Sequence, residues 1–200
     1  MKYLLHFLKL MGFPIIYLFI LAITNLAINT IGNDLLWLKY ILDVLVLGFY
    51  CLIIGAVAFK DGEKAYKTLH TNDVERRNII ATGEDRPLDE VTEYKAWKGF
   101  MMGLSACIPL LILLFIHTLV VAKTPSFVRY GELAGLMYMV VFSFIKTSAD
   151  AVLVYSQYYF ALIALPIFML STGIPYMLGA RKAKNQYRMI EEKHRQIYGE

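Results

Sequence analysis

The sequence predicts an all-α fold, a polytopic transmembrane helical bundle with four or five hydrophobic segments, and three observations carry that expectation. Residues 10–33 contain no charged side chain, and residues 99–122 and 151–180 repeat the pattern with His117 as the single titratable imidazole. A hydrocarbon core about 30 Å thick takes roughly 20 apolar helical residues to cross, so each run is long enough to span. Composition agrees, because 58% of the 200 residues are hydrophobic and the mean hydropathy is +0.53, more than a soluble domain of this length needs for one core. Lys and Arg are also unevenly shared among the connections, as enrichment on the cytoplasmic side requires. One integral membrane domain, 1–200, is expected, with hydrophobic segments near 11–32, 35–59, 99–122, 128–147 and 156–180, a loop at 60–98 and a basic tail at 181–200.

The first segment exceeds a signal-peptide core and runs into Asn33 and Asp34 instead of a small-residue cleavage site, so it is expected to be retained. The second carries Lys39 and Asp43 in its first third, followed by 16 uncharged residues. Beyond it, residues 60–98 hold eight Lys/Arg against nine Asp/Glu, a near-neutral balance that suits a folded cytoplasmic helical loop. Asn72 and Glu75 have capping-box spacing and Gly83 suits a left-handed stop, which predicts a short helix over 73–82. Pro87 fits a first helical turn, with Asp89, Glu90 and Glu93 near the positive helix end. One helix is therefore expected from about residue 87 into the third segment.

Residues 123–131, with Pro125, form a connection. In the fourth segment only 133–145 is uncharged, so 128–147 either spans, with Arg129, Glu132 and Lys146 snorkelling, or is re-entrant. The last run is longer than a bilayer needs and contains Pro166 and Pro175, which implies tilt, a kink or an interfacial turn near 155–159. In the tail, Tyr187, Ile190, His194 and Ile197 recur at helical spacing, and the last helix is expected to continue through it. Charge arithmetic favours an even number of crossings. Four crossings put the amino terminus, the loop and the tail on one side with 16 of the 20 Lys/Arg, whereas five divide the charges about equally.

Asp43, flanked by Ile41, Leu42, Val44 and Leu45, is the sharpest functional candidate, since a carboxylate in lipid needs a partner, a proton or water. Lys39, one turn away, supplies an ion pair in the plainer reading; Asn25 and Asn29 of the first segment and His117 of the third complete an intramembrane polar set in the functional one. Arg76, Arg77 and Arg86 in the loop are candidates for contact with lipid phosphates or a partner. Arg181, Lys182 and Lys184 at the start of the tail should bind anionic headgroups at about 1 kcal/mol per charge. Gly131-x-x-x-Gly135 offers a weak close-packing signal.

Cys51 and Cys107 sit in apolar segments and read as packing residues. There is no P-loop, no His-x-x-x-His pair, no calcium loop and no Gly-x-Ser-x-Gly, so no catalytic, cofactor or metal residue is nominated; nothing resembles a nucleic-acid module. A non-catalytic accessory or assembly subunit of a membrane complex is the leading expectation, because the conspicuous polar residues lie outside the membrane segments. A small transporter or channel component built on Asp43 comes second, and a lipid-acting enzyme third. A 200-residue bundle is small for enclosing a path alone, so a homo-oligomer or a partner membrane subunit is expected, in the plasma membrane with the loop and carboxy terminus cytoplasmic.

Overall fold

The structure, a computed structural model, describes residues 2–29, 36–83, 87–121 and 164–199. These form four helices, α1 (Lys2–Asn29), α2 (Leu36–Thr82), α3 (Ala96–Val121) and α4 (Ala164–Tyr198), with no strand among the described residues. The all-α class is as expected. The fourth segment at 128–147, the turn near 155–159 and the Gly131-x-x-x-Gly135 pair lie outside the described residues.

Two expectations about the loop are corrected. No separate helix begins at residue 73: α2 runs 47 residues without interruption, about 70 Å at 1.5 Å per residue. Between Gly62 and Gly83 the chain contains neither Gly nor Pro, so a helix already nucleated in the apolar segment propagates through the polar one at no further nucleation cost. It stops where Gly83 takes a φ of 69° and donates its N–H to the Ile79 carbonyl at 2.8 Å, as that glycine's freedom allows. Nor does Pro87 open a helix. Residues 87–95 are a turn and extended chain, and α3 starts at Ala96. The tail expectation holds, because α4 continues through Pro175 and the whole basic stretch to Tyr198.

Neighbouring residues give the helix directions. Gly55 meets Ser171, Phe59 meets Gly179, Glu63 meets Lys182 and His70 meets Tyr187, so α2 and α4 run parallel. Gly99 meets Tyr176 and Gly103 meets Phe168, so α3 and α4 run antiparallel. Tyr3 and Phe7 pack edge-on against Trp97 at 5.6 and 6.2 Å, which starts α1 and α3 at the same level. The beginnings of α1 and α3, the polar half of α2 and the basic half of α4 therefore share one end of the bundle.

Glycine lets these helices approach to backbone contact. A Cβ on Gly62 would collide with the Tyr176 carbonyl, one on Gly179 with the Phe59 carbonyl, and one on Gly103 with the Phe168 carbonyl. Close approach of this kind lets helices gain dispersion energy through backbone contact. Around it Tyr50, Ile54, Met102, Ala106, Cys107, Phe168 and Tyr176 are buried, with Tyr50 and Phe168 rings 5.1 Å apart. Both cysteines are free thiols.

The outer surface is apolar along much of its length. Leu5, Phe13 and Ile16 of α1, Trp37, Leu45 and Leu52 of α2, and Leu170 and Leu178 of α4 are all at least half exposed. Among the described residues, one stretch, Val44–Thr82, is long and apolar enough to cross a membrane, and only 22% of its apolar window is buried inside the molecule. A soluble core helix hides such a window; this one presents it outward.

Candidate functional site

At the polar end the connection between α2 and α3 folds back against α2 and is tied there from several directions. Lys98, on the first turn of α3, is 2% exposed. Its Nζ donates to the carbonyls of Glu90 at 3.1 Å, Val91 at 2.6 Å and Glu93 at 2.6 Å, and lies 5.0 Å from the Tyr3 ring centroid. An ammonium carries three N–H groups, so all of them are in use. Those carbonyls serve the lysine instead of amides one turn on, which is why Pro87 does not lead into a helix. Burial lowers the Lys98 pKa, and Lys95 adds to this, while Glu93, Asp61 and Asp89 work in the opposite direction.

Glu93 is 5% exposed, and its Oε2 accepts from Asn72 Nδ2 at 2.9 Å and from Arg76 Nη2 at 2.8 Å. Asn72, also 5% exposed, donates as well to the Asp89 carbonyl at 3.1 Å. Its amide thus serves tertiary structure instead of capping a helix. Arg76 reaches Asp73 at 2.9 Å with its other terminal nitrogen, and the hydrogen bonds it donates to Glu93 and Asp73 raise its pKa. Asp89 closes the turn by accepting from the Thr92 hydroxyl at 2.5 Å and the Thr92 amide at 3.2 Å, which holds its carboxyl below the usual carboxylate range. The Tyr94 amide donates to the Ala65 carbonyl at 3.1 Å, joining the connection to α2 through backbone alone. An aromatic stack, Tyr94 on Tyr176 at 5.4 Å with Tyr66 beside Tyr94 at 6.2 Å, fills the space between helices.

Asp61, the second residue beyond the apolar run of α2, is partly buried and makes no hydrogen bond or ion pair among the described residues. Burial raises its pKa; the charges of His6, Lys64 and Lys98 oppose that, His6 most. Sequence reasoning passed over it as one of nine acidic residues in a solvated loop. The available signal was its position, one turn or less past the last apolar residue of a helix that does not stop.

Of the residues nominated from sequence, Asn25 and Asn29 have their backbone in α1, Asp43 in α2 and His117 in α3, and their side chains lie outside the described residues, as does Arg86. Arg76 is drawn inward by Glu93, whereas Arg77 is exposed. Lys182 bonds Glu63 at 3.3 Å and lies 5.6 Å from the Phe59 ring, half exposed, and Arg181 and Lys184 are exposed beside it. The Lys67 contact, and after it the Lys182 contact, lowers the Glu63 pKa.

Chemically, the loop attachment is a set of bonds satisfied within the chain, while the Tyr176 hydroxyl beside it is buried without a hydrogen-bond partner among the described residues. Glu93, Asn72, Arg76 and Lys98 point at one another, not at an open space, and among the described residues no three metal-ligating side chains converge. Comparison of this chain with protein-family models, with curated proteins and with solved structures finds no match.

Proposed function

We propose that this chain is a polytopic membrane protein that acts as a non-catalytic accessory or assembly subunit of a membrane complex. The observation carrying this is the fate of the loop charges: the groups best suited to chemistry, Glu93, Lys98, Asn72 and Arg76, are spent on fastening the loop to α2. What faces outward is an apolar band and two helix ends that stand clear of it, the carboxy-terminal part of α2 and the basic end of α4.

Several features support the membrane part of the reading. From Trp37 to Phe59, α2 covers about 33 Å at 1.5 Å per residue, close to the hydrocarbon thickness. Lys60 follows at once, and Tyr3, Trp97 and the Phe59–Lys182 pair lie at that level, as interfacial aromatics do. Directions of α1, α2, α3 and α4, alternately away from and toward the polar end, support an even number of crossings with the amino terminus, loop and tail on the cytoplasmic side of the plasma membrane. Arg181 and Lys184 would then meet anionic headgroups, and the exposed apolar faces a second copy or a partner membrane subunit.

Native mass spectrometry of the protein, gently extracted from its own membranes through a carboxy-terminal tag, tests the proposal. A discrete foreign subunit at fixed stoichiometry is the expected result. A lone chain or a homo-oligomer would overturn the accessory reading and return attention to Asp43 and transport.

A further inference from the structure

Beyond the base, the seam between α2 and α4 changes character. On α4 it is drawn by Tyr176, Ala180 and Ala183, all buried, and by Tyr187, whose ring lies 4.2 Å from that of His70 and 6.4 Å from that of Tyr66. Steps of four, three and four residues keep these on one helix face, and the same rhythm continues through Ile190, His194 and Ile197. On α2 the matching line runs from Gly62 through Tyr66 and His70 to Arg77 and Ile80. Up to Tyr187 the two lines cover each other. Past it they are bare: Ile80 is 85%, Ile190 62% and Ile197 73% exposed, and every residue from 188 to 198 is exposed. A helix end that only had to reach into water has no use for isoleucines on that line.

We propose that this open seam receives one acidic amphipathic helix of the partner subunit, with its apolar stripe on Ile80, Ile190 and Ile197 and its carboxylates toward Arg77 and Lys193. The proposal rests on the accessory reading and adds the chemistry of the partner to it. Charge selects the occupant. Asp73 and Glu192 are already paired with Arg76 and Arg188. Among the described residues 77–82 and 188–198, that leaves Arg77, Lys193 and Arg195 unpaired against Glu191 alone, a surplus of positive charge beside an apolar line. An amphipathic helix laid into such a seam is held by its apolar face and oriented by complementary charge. A second copy fits worse: two copies anchored in one membrane in the same direction meet level with level, which sets Arg77, Lys193 and Arg195 against themselves. Distance argues against lipid. With the Phe59–Lys182 pair at the interface, Ile190 and Ile197 lie about 12 and 22 Å further along α4, past a headgroup layer about 5–8 Å deep.

Site-specific photo-crosslinking in the protein's own membranes tests this. The photoreactive residue p-benzoylphenylalanine replaces Ile80 or Ile197 on the seam, or Leu52 on the outward apolar face of α2, and the crosslinked peptides are sequenced by mass spectrometry. The expected result is that positions 80 and 197 both mark the same segment of one foreign protein, a segment with apolar residues at three- and four-residue spacing and more Asp and Glu than Lys and Arg. Arg77→Glu combined with Lys193→Glu, both at exposed positions, should lower that yield about tenfold or more with helical circular dichroism unchanged. Adducts to lipid or to a second copy, a marked segment without excess acid, or a yield indifferent to the charge reversal would overturn the proposal. A foreign subunit marked from position 52 but from neither 80 nor 197 would end it and leave the accessory reading standing, whereas no foreign protein at any of the three positions would end both.

Discussion

Replacing Lys98 by Met keeps most of the aliphatic stem in place and removes the ammonium, which makes it a direct test of what fastens the loop. The structure gives the terms. Three charge-assisted contacts, at 3.1, 2.6 and 2.6 Å, are lost at about 1.5–3 kcal/mol each. Against that, the variant no longer buries an ion, a cost of several kcal/mol in a protein interior. A net loosening of about 3 kcal/mol remains, which corresponds to about a 150-fold change in a local opening equilibrium. One amide reports on it without interference from the rest of the fold: Tyr94 N–H, bonded at 3.1 Å to Ala65, exchanges with solvent only when the connection leaves α2. Hydrogen exchange of the 91–97 peptide in nanodiscs should therefore show Tyr94 protection falling about 150-fold in Lys98→Met, with the α2 and α4 amides little changed. Unaltered Tyr94 protection in a variant of normal helical content would refute the claim that Lys98 holds the loop, and with it the account of why Pro87 fails to start a helix.

Three further outcomes follow from the same geometry. Glu93→Ala takes one of two acceptors from the buried Asn72 amide and the ion-pair partner from Arg76, and should cost about 3 kcal/mol of stability in thermal unfolding, with Glu93→Gln milder because it still accepts. Gly62→Ala forces a Cβ into the Tyr176 carbonyl and should cost about 3 kcal/mol or prevent assembly, whereas Gly48→Ala, with nothing within 4 Å, should be neutral or gain up to about 1 kcal/mol; melting both variants in one detergent checks the contrast. Asp89 has a lowered pKa because Thr92 hydrogen-bonds its carboxylate, so its contribution is present above the unfolded value near 3.9 and lost as pH falls through the folded one. Acid titration followed by exchange of the 91–97 peptide should show that loosening below about pH 4, and Thr92→Val should remove most of it.

The sequence was informative where a local rule met no competitor. Uncharged runs marked the apolar cores of all four described helices, Gly83 ended α2 as a glycine at that position can, and the spacing of Tyr187, Ile190, His194 and Ile197 carried α4 through the tail. It misled where a local signal lost to a tertiary one. Asn72 has the residue type and spacing of a helix cap, but no stop precedes it, and its amide gains more from two acceptors 17 and 21 residues away, the Asp89 carbonyl and the buried Glu93 carboxylate. Pro87 permits a helix start, yet the carbonyls such a helix would need belong to Lys98. The close-packing glycines show the same limit. Gly99-x-x-x-Gly103 has the spacing of a helix-contact motif and does pack on α4, but Gly62 and Gly179 have no such local signature, and only the paired geometry of α2 and α4 reveals their purpose. Asp61 was hidden for a related reason: whether a carboxylate next to an apolar run is solvated depends on what the other three helices bring to it.

The wedge formed by Tyr176 sets an order of events during synthesis. Its two flanking glycines, Gly62 and Gly99, precede it by 114 and 77 residues, so the surfaces of α2 and α3 meant for α4 are made long before α4 exists. At about 5–20 residues per second, the groove on α2 waits roughly 6–23 s for its occupant. Through that interval Gly62 and Gly99 leave surface without side chains open to whatever surrounds the nascent chain. Closure of the bundle thus waits for α4, and a chain ending before α4 would leave that surface uncovered.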